Sequence, residues 1–519
     1  MATSAVNLES QARYLVGVDI GTGGPKAVLV DADGRVIATT SRRSSLYQPS
    51  PGIVEEDPEF QFQMVCECVA ELLNTDAARR VGAGANLAAI GVSGQMAGVI
   101  GIGADGRNVT PYDSWLDTRC APYIAQMRDV AGDEIIRKTG GPPSFNHGPK
   151  ILWWKSERSE IFAKIAAFVQ PSGYVAMRLC ELTASQAFID RSYLHFSGFA
   201  DNSNHRWDDE LCRKFDVPME KLPRIVESRE VVGTLSAAVA TQCGTVAGVP
   251  VIAGCGDTAA SFLAAGATRV GICVDVAGTA SVFAATTDQF RADVKYGTLG
   301  WGCSAVPGLW YPYAYINGGG MNIEWFAKEF ADAATSGDVA TFDRLNAQAS
   351  QWTPTLEDPI FLPHLSGRVS PAEPQLRGVW AGLTWTHTKG HLYRAVLEAV
   401  ALEYCIYRDV LAELNPELAI RELRLTGGGE KSALWNQIKS DALGMRSVRV
   451  DRSEGGPLGV AMLAGYGVGL FDSIDETASR WIAPGEAYEP NRAMADHYAK
   501  RLERYRELLK LMNRWYTQS

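Results

Sequence analysis

Residues 14–25 read Tyr-Leu-Val-Gly-Val-Asp-Ile-Gly-Thr-Gly-Gly-Pro, and the fold class follows from them. The apolar first half predicts a buried strand, and the glycine-rich second half predicts a tight turn that carries the Thr22 hydroxyl. The chain is apolar again from Lys26 to Asp31, and Asp33-Gly34 turns it into a third strand over residues 36–40. We therefore predict an antiparallel meander whose first turn is a glycine-rich loop.

The same strand–turn–strand pattern recurs near the middle of the chain. Strands from Gly271 to Val276 and from Ser281 to Thr286 flank the turn Ala277-Gly278-Thr279-Ala280. The two turns are separated by about half of the 519 residues, and a chain of this length exceeds a single core. The repeat predicts an α/β protein with two similarly built domains, which we assign to residues 1–250 and 251–519.

A third glycine-rich loop, Thr426-Gly427-Gly428-Gly429, lies between a strand and a helix. Strands and helices also alternate between the three loops, as hydrophobic periodicity indicates. The predicted strands are 87–92, 249–253 and 421–425, and the predicted helices are 58–74, 391–414, about 432–443 and 492–515.

Composition and charge exclude several classes of function. The net charge of −10 and the absence of a Lys/Arg run argue against a nucleic-acid partner. No apolar run approaches the roughly 20 residues of a membrane helix, and residues 1–13 lack the apolar core of a signal peptide. Ten scattered cysteines without a Cys-x-x-Cys pair indicate free thiols in a reducing compartment. We expect a cytoplasmic protein with no membrane partner.

Three glycine loops from two domains that face a cleft describe a nucleotide site. Tight turns with free N–H groups bind anions without net positive charge, and Thr22 and Thr279 add hydroxyl donors. Asp19, at the end of the first strand, is suited to hold Mg2+ through water, because Mg2+ prefers few carboxylates and several waters. The chain has no Gly-x-x-x-x-Gly-Lys-Ser/Thr sequence, so it is not a P-loop enzyme.

The segment from Val251 to Ala260 carries the strongest candidate for a catalytic group. An apolar strand runs into a turn with Gly254 and Gly256, and Asp257 follows at the start of a predicted helix. Glycines at these positions let backbone and ligand approach closely. The Asp257 carboxylate is either a general base for a bound hydroxyl or the N-cap of the helix, and the spacing alone leaves both interpretations open.

Six short motifs and one long pattern together identify a family. The motifs are Asp19–Gly23, Ser93–Gly98, Trp115–Arg119, Gly254–Asp257, Phe361–Gly367 and Gly427–Gly429, and the long pattern runs from Gly378 to Glu398. On these residues the chain resembles the FGGY carbohydrate kinases over nearly its whole length. Within that family its motifs are most similar to those of the xylulokinases.

The resemblance implies a fold of two actin-like, ribonuclease-H-like ATPase domains with a cleft between them. It implies phosphoryl transfer from ATP, with Mg2+, to a small-molecule sugar, with D-xylulose as the expected acceptor, and a homodimer as a candidate assembly. The implied site residues are Asp257 as the catalytic base; Gln95, Met96, Asp117 and Asp257 on the sugar side; Thr22, Gly278, Thr279, Gly320, Gly428 and Ser432 on the ATP side; and Asp19 and Asp257 at the metal.

Three positions depart from the xylulokinase pattern. Ala97 replaces a histidine, Thr258 replaces an asparagine and Arg368 replaces a glutamate, all in motifs where the sugar hydroxyls would be read. The phosphate and base chemistry is left intact, but a missing hydrogen-bonding side chain changes substrate discrimination by orders of magnitude. Another ketose or a polyol (ribulose, a hexulose, glycerol or erythritol) therefore remains an alternative acceptor.

Two interpretations from other functional classes also remain open. A NAD-dependent dehydrogenase is suggested by Gly254-x-Gly256-x-x-Ala259 after a strand, with Asp275 near the roughly 20-residue spacing of a ribose-binding acid. Against it, Asp257 would stand beside the pyrophosphate, where like charges repel. A non-catalytic, actin-like sugar sensor would keep the fold without a base, and the presence of Asp19 and Asp257 argues against that class.

Overall fold

A computed structural model describes residues 13–331, 338–450 and 454–518 of the chain. The expected lack of a signal peptide concerns residues that lie, apart from Arg13, outside this described part. The protein divides into two compact units. The first unit extends through Thr268 and includes Gly302–Leu309 and a helical segment that ends at Ile482, and the second unit comprises the rest. The loop that carries Asp257 therefore lies in the first unit, and the domain division at residue 250 stays a prediction.

The strands of both units are short, and most are bounded by turns. In chain order they are β1 Tyr14–Gly21, β2 Gly24–Asp31, β3 Val36–Ser41, β4 Glu55–Glu56, β5 Leu87–Gly94, β6 Ile100–Ile102, β7 Tyr112–Asp113, β8 Ala167–Val169, β9 Phe188–Asp190, β10 Ala200–Asp201, β11 Arg206–Trp207, β12 Arg224–Val226, β13 Val231–Thr234, β14 Pro250–Ile252, β15 Cys255–Gly256, β16 Ile272–Ala277, β17 Ser281–Ala285, β18 Gly300–Cys303, β19 Trp310–Ile316, β20 Ile360–Leu362, β21 Val379–Ala381, β22 Glu422–Thr426, β23 Ser447–Val450 and β24 Pro484–Tyr488.

The helices are interspersed with these strands along the chain. In chain order they are α1 Pro58–Leu73, α2 Asp76–Arg80, α3 Ala121–Thr139, α4 His147–Glu157, α5 Ser159–Phe162, α6 Pro171–Leu179, α7 Asp209–Lys214, α8 Ala237–Cys243, α9 Asp257–Ala264, α10 Gly319–Ala331, α11 Val339–Ala349, α12 Lys389–Leu414, α13 Ala433–Leu443, α14 Gly456–Gly467, α15 Ile474–Trp481 and α16 Ala495–Gln518.

Each unit contains a mixed seven-stranded sheet, and the central strands of the two sheets are paired in the same way. The first has the order β13-β14-β5-β1-β2-β3 with β15 beside β5, and the second has the order β18-β19-β17-β16-β22-β23-β24. In the first sheet β1 pairs antiparallel with β2 and parallel with β5. In the second sheet β16 likewise pairs antiparallel with β17 and parallel with β22. This shared pairing confirms the prediction of an α/β protein with two similarly built halves.

Helix α14 supports the two elements that carry the candidate acids of the first unit. A Cβ on Gly17 of β1 would lie 1.9 Å from the carbonyl oxygen of Pro457, and a Cβ on Gly459 would lie 2.0 Å from that of Ala260 in α9. The two glycines thus allow α14 to pack directly against both elements. As a result, β1, which ends near Asp19, and α9, which begins at Asp257, rest on the same helix.

The predicted elements are confirmed to within three residues at each boundary, including α1, α12, α13 and α16. Local signals such as apolar periodicity and glycine turns were sufficient for these elements. All ten cysteines are free, as predicted. Within the described ranges, no helix is long and apolar enough to span a membrane.

Candidate functional site

Asp257 is the first residue of α9, and Gly256 occupies the N-cap position. The alternative that Asp257 is itself the N-cap is therefore wrong. Its Oδ1 instead accepts hydrogen bonds from the backbone N–H of Thr258 (2.6 Å) and from the Thr258 hydroxyl (3.1 Å). Burial, followed by the negative charge of Asp19, raises the pKa of Asp257 to about 7. A carboxylate with this pKa exchanges protons readily near neutral pH.

The turn before Asp257 depends on two glycines. Gly254 has a φ of +74°, and a Cβ there would lie 1.8 Å from the carbonyl oxygen of Val92. A Cβ on Gly256 would lie 2.6 Å from the Met96 methyl carbon. Met96, predicted on the sugar side, therefore packs directly against the loop that carries Asp257.

Asp19 lies opposite Ser93 where β1 and β5 pair in parallel. The Ser93 hydroxyl donates to Asp19 Oδ1 over 2.7 Å. Burial raises the pKa of Asp19, while Ser93 and the positive charge of Lys26 oppose the rise. The Asp19 charge also contributes to the raised pKa of Asp257. Two carboxylates that interact in this way fit a divalent cation, which would neutralise both and retain several waters.

A hydrogen-bond chain connects the first glycine loop to the predicted sugar-binding motif. Trp115 Nε1 donates to the Thr22 hydroxyl (2.9 Å), and that hydroxyl lies 3.4 Å from Gln95 Oε1. Gln95 Nε2 donates to Glu56 (2.9 Å), whose other oxygen accepts from Gln61 (2.9 Å). Because Glu56 and Gln95 are buried and a carboxylate only accepts, the Gln95 carbonyl must face Thr22.

Asp117 lies in the same unit, but its carboxylate is already occupied. Both oxygens accept from Arg119, at 2.8 and 2.9 Å from Nε, and Oδ2 also accepts from the backbone N–H of Val54 at 2.8 Å. Asp117 is fully buried, so its ion pair with Arg119 lies in the interior of the unit. A role of Asp117 toward a sugar would be exerted through the loop that it stabilises.

The second unit contains a pocket of about 460 Å³ that brings together five of the six residues predicted for the ATP side. They are Gly278, Thr279, Gly320, Gly428 and Ser432. Tyr393, Leu397 and Trp435 form apolar walls of this pocket, and Asp343 and Asn346 add polar groups. The sixth residue, Thr22, belongs to the first unit, where it lines a separate depression with Asp19 and Lys26.

Close backbone contacts shape this pocket. The N–H of Gly320 donates to the carbonyl of Gly278 (2.9 Å), and a Cβ on Gly320 would lie 2.4 Å from that oxygen. Ser432 is the N-cap of α13, accepts from the N–H of Trp435 and donates to Asn346 Oδ1 (3.3 Å). The pocket therefore brings together the second and third of the predicted glycine loops, those of Gly278 and Gly428, with the start of α13. The first loop, which carries Thr22, lines the separate depression.

Two other positions singled out in the sequence have structural partners. The Asp275 carboxylate is buried and accepts from the Tyr404 hydroxyl (2.6 Å) and from Lys439. It is therefore not available to bind a ribose, which removes the main support for the dehydrogenase. The Arg368 guanidinium is buried in the second unit and pairs with Glu403 and Glu373, each at 3.0 Å. The positive charge of Arg368 is thus neutralised by two glutamates inside that unit.

Several residues beside the site were not identified from the sequence. Glu56 stands in an acidic run before a helix, where Asp57 is the N-cap, so its local pattern indicates only a helix start. Ser192 and Tyr193, whose side chains contact the loop that precedes Asp257, lie more than 60 residues before that loop. Only the fold brings these groups to Gln95 and the loop.

Comparison with known proteins agrees with this geometry. The model of the FGGY family of carbohydrate kinases, N-terminal domain, matches residues 14–264, and that of the C-terminal domain matches residues 273–468. A xylulose kinase of Bacillus subtilis is 27% identical over 511 residues, covering 97% of each chain. A gluconokinase of the same organism is 28% identical over 515 residues, again covering 97% of each chain.

A solved structure supports the same assignment. The crystal structure of xylulose kinase from Rhodospirillum rubrum matches with a TM-score of 0.89 and 27% sequence identity, covering 97% of this chain and 100% of that chain. The similarity thus extends over both units, and it confirms the two-domain α/β fold of these kinases. The chain belongs to the FGGY family of carbohydrate kinases, enzymes that transfer a phosphoryl group to a sugar hydroxyl.

Proposed function

We propose that the protein transfers the γ-phosphoryl group of ATP to a hydroxyl of D-xylulose, with Asp257 as the general base. The observation that carries this proposal is the half-buried Asp257 carboxylate at the first turn of α9, with its pKa raised to about 7. Met96 packs against the loop, and Gln95 precedes Met96 in the chain. A base with this pKa is suited to remove a hydroxyl proton at neutral pH.

The proposed step needs little covalent chemistry from the protein. Asp257 Oδ2 takes the proton of the attacking hydroxyl, because Thr258 already holds Oδ1. The hydroxyl oxygen forms a bond to the γ-phosphorus, and the bond from that phosphorus to the ADP oxygen breaks. The protein mainly positions the reactants and offsets charge, and general-base help is worth about 10²- to 10⁴-fold in rate.

The nucleotide is assigned to the pocket of the second unit. Tyr393 and Trp435 offer apolar surfaces that suit a purine, and the Gly278 and Gly428 turns suit phosphate oxygens. Asp19 and Asp257 would hold Mg2+. When bound, that ion supplies charge neutralisation to the phosphates.

The charges near Gln95 favour an uncharged acceptor. Glu56, which accepts a hydrogen bond from Gln95, is a carboxylate, as is Asp257, and the guanidinium of Arg119 is paired with Asp117 and Glu55. An aldonate such as gluconate would bring a further negative charge into this region, where like charges repel. We therefore consider a ketose a better candidate acceptor than gluconate, for which the Bacillus subtilis gluconokinase is named. Another ketose or a polyol remains the alternative acceptor within the family.

A substrate panel tests the proposal. ADP release is followed with MgATP and D-xylulose, D-ribulose, a hexulose, glycerol, erythritol or gluconate in turn. We expect the highest kcat/KM with D-xylulose. Turnover of gluconate or glycerol alone would refute the assigned acceptor, NAD binding would support the dehydrogenase, and sugar binding without turnover would identify a sensor.

A further inference from the structure

A buried segment after β9 holds the backbone of the loop that precedes Asp257. The N–H of Gly256 donates to the Ser192 hydroxyl over 2.9 Å. Ser192 in turn donates to Asp190, from its hydroxyl to Oδ1 (2.8 Å) and from its N–H to Oδ2 (3.0 Å). The direction N–H to O–H to carboxylate is fixed, because a carboxylate only accepts. Such a chain ends on a charge, and each bond strengthens the next.

The Tyr193 hydroxyl joins the loop to the motif that contains Gln95. It lies 3.0 Å from the carbonyl oxygen of Gly94 and 3.4 Å from that of Cys255, and it bonds Ser172 Oγ at 2.7 Å. Gly94 directly precedes Gln95, and Cys255 lies two residues before Asp257. One buried hydroxyl is therefore shared by the two backbones that carry the sugar-side amide and the base.

The strand pair that joins the loop before Asp257 to β5 is short, so the contacts of the Tyr193 hydroxyl with both matter to how they are held together. β15 has only two residues and pairs in parallel with the end of β5, Cys255 opposite Ser93 and Gly256 opposite Gly94. A two-residue ladder contributes little rigidity of its own. The side chains of Ser192 and Tyr193 add hydrogen bonds beyond this ladder, and both residues are at most 1% exposed.

We propose that Tyr193 and Ser192 are positioning residues for phosphoryl transfer, which set the placement of Asp257 relative to Gln95. The inference rests on the proposed function of Asp257 as the base. Tyr193 and Ser192 act through the backbone of Gly94, Cys255 and Gly256. Misplacement of a reacting group by about 1 Å costs on the order of 10²-fold in rate, so the effect falls on kcat.

The variant Tyr193→Phe removes one oxygen and keeps the ring. We expect kcat for the sugar to fall about 10- to 100-fold, with little change in the KM for ATP and with faster hydrogen exchange at the Gly256 amide. Tyr174→Phe is the matched control, because Tyr174 is equally buried in the same unit but bonds Asn108 and Arg178. The control is expected to retain the wild-type kcat.

The outcomes separate a positioning role from a packing role. If Tyr193→Phe loses stability but keeps the wild-type kcat and the wild-type rate of hydrogen exchange at the Gly256 amide, the inference is overturned. If Tyr193→Phe does not fold, Ser192→Ala is tested with Ser192→Thr as the variant that keeps the hydroxyl. A full kcat in Ser192→Ala would also overturn the inference, and rescue by Ser192→Thr supports it. If the wild-type protein phosphorylates no sugar, the proposed function is refuted instead. The hydrogen exchange of the Gly256 amide then tests this inference: faster exchange in Tyr193→Phe supports it, and unchanged exchange overturns it.

Discussion

Trp115 donates its indole N–H to the hydroxyl of Thr22 over 2.9 Å. Because an indole nitrogen is only a donor, the Thr22 proton is directed to Gln95 Oε1, 3.4 Å away. Gln95 is held from its other side by Glu56. The first glycine loop and the sugar-side motif are therefore parts of one hydrogen-bond chain.

Thr22→Val breaks this chain while it keeps the shape of the side chain. We expect the KM for the sugar to rise together with the KM for ATP, or kcat to fall, by about 2- to 10-fold, the value of one hydrogen bond. Steady-state kinetics with each substrate varied in turn checks this. Thr40→Val is the control, since Thr40 is a β3 residue whose hydroxyl bonds the Cys68 carbonyl. Unchanged constants in Thr22→Val would mean that the loop is only structural.

Asp19→Asn tests the predicted metal role. The substitution removes a charge beside Asp257 but retains an oxygen that accepts from Ser93, so the fold is expected to persist. The Mg2+ concentration for half-maximal rate should rise, because a carboxylate is a far better Mg2+ partner than an amide. Asp33→Asn, at an exposed turn, serves as the control. An identical Mg2+ titration in Asp19→Asn and wild type would remove Asp19 from the metal site.

The raised pKa of Asp257 predicts an acid limb in the pH profile. The base must be ionised, so kcat/KM should fall as pH falls through about 7 at low Mg2+. Hydrogen bonds from Thr258 lower the pKa of Asp257, and Thr258→Val removes one of them, so its acid limb should move to higher pH. Added Mg2+ should move the limb to lower pH, because a nearby cation favours the carboxylate. Superimposable profiles of Thr258→Val and wild type would contradict this assignment.

Much of the fold was predictable because its signals are local. The β1–β2 hairpin follows from apolar strands around Gly21 and Gly24, and the same pattern marks the Gly278 turn. The helix start at Asp257 follows from a glycine turn after an apolar strand. A glycine indicates a turn without any distant partner, so the sequence alone predicts these turns and the helix start.

The partners of the charged groups were not predictable in the same way. Asp117 has the residue type of a sugar ligand, but only the fold places Arg119 and the Val54 N–H on its carboxylate. Neither Tyr193 nor Glu56 has a local signal of a functional site, since the partners that each has in the site lie at a long sequence separation. Spacing along a chain does not determine which of several carboxylates is already paired.

Ala97→His tests the origin of the sugar pocket. The half-buried Ala97 follows Met96, which packs against the loop that precedes Asp257, so a histidine there adds a polar group on the proposed sugar side. If the pocket is a remodelled xylulose site, kcat/KM for D-xylulose should rise about 5- to 150-fold, the range of one correct polar contact. Ala97→Leu adds bulk without a donor and should bring no gain. Absence of a response by any ketose to Ala97→His would refute this account of the pocket.

The central claim is that Asp257 is the general base of a sugar kinase, and Asp257→Asn tests it most directly. The exchange keeps the size of the side chain and removes its ability to take a proton. With saturating MgATP and D-xylulose, single-turnover and steady-state rates should fall about 10²- to 10⁴-fold, while the fold and ATP binding persist. Asp105→Asn, in an exposed turn of the same unit, should retain the wild-type rate. A turnover rate of Asp257→Asn near that of wild type would contradict the account.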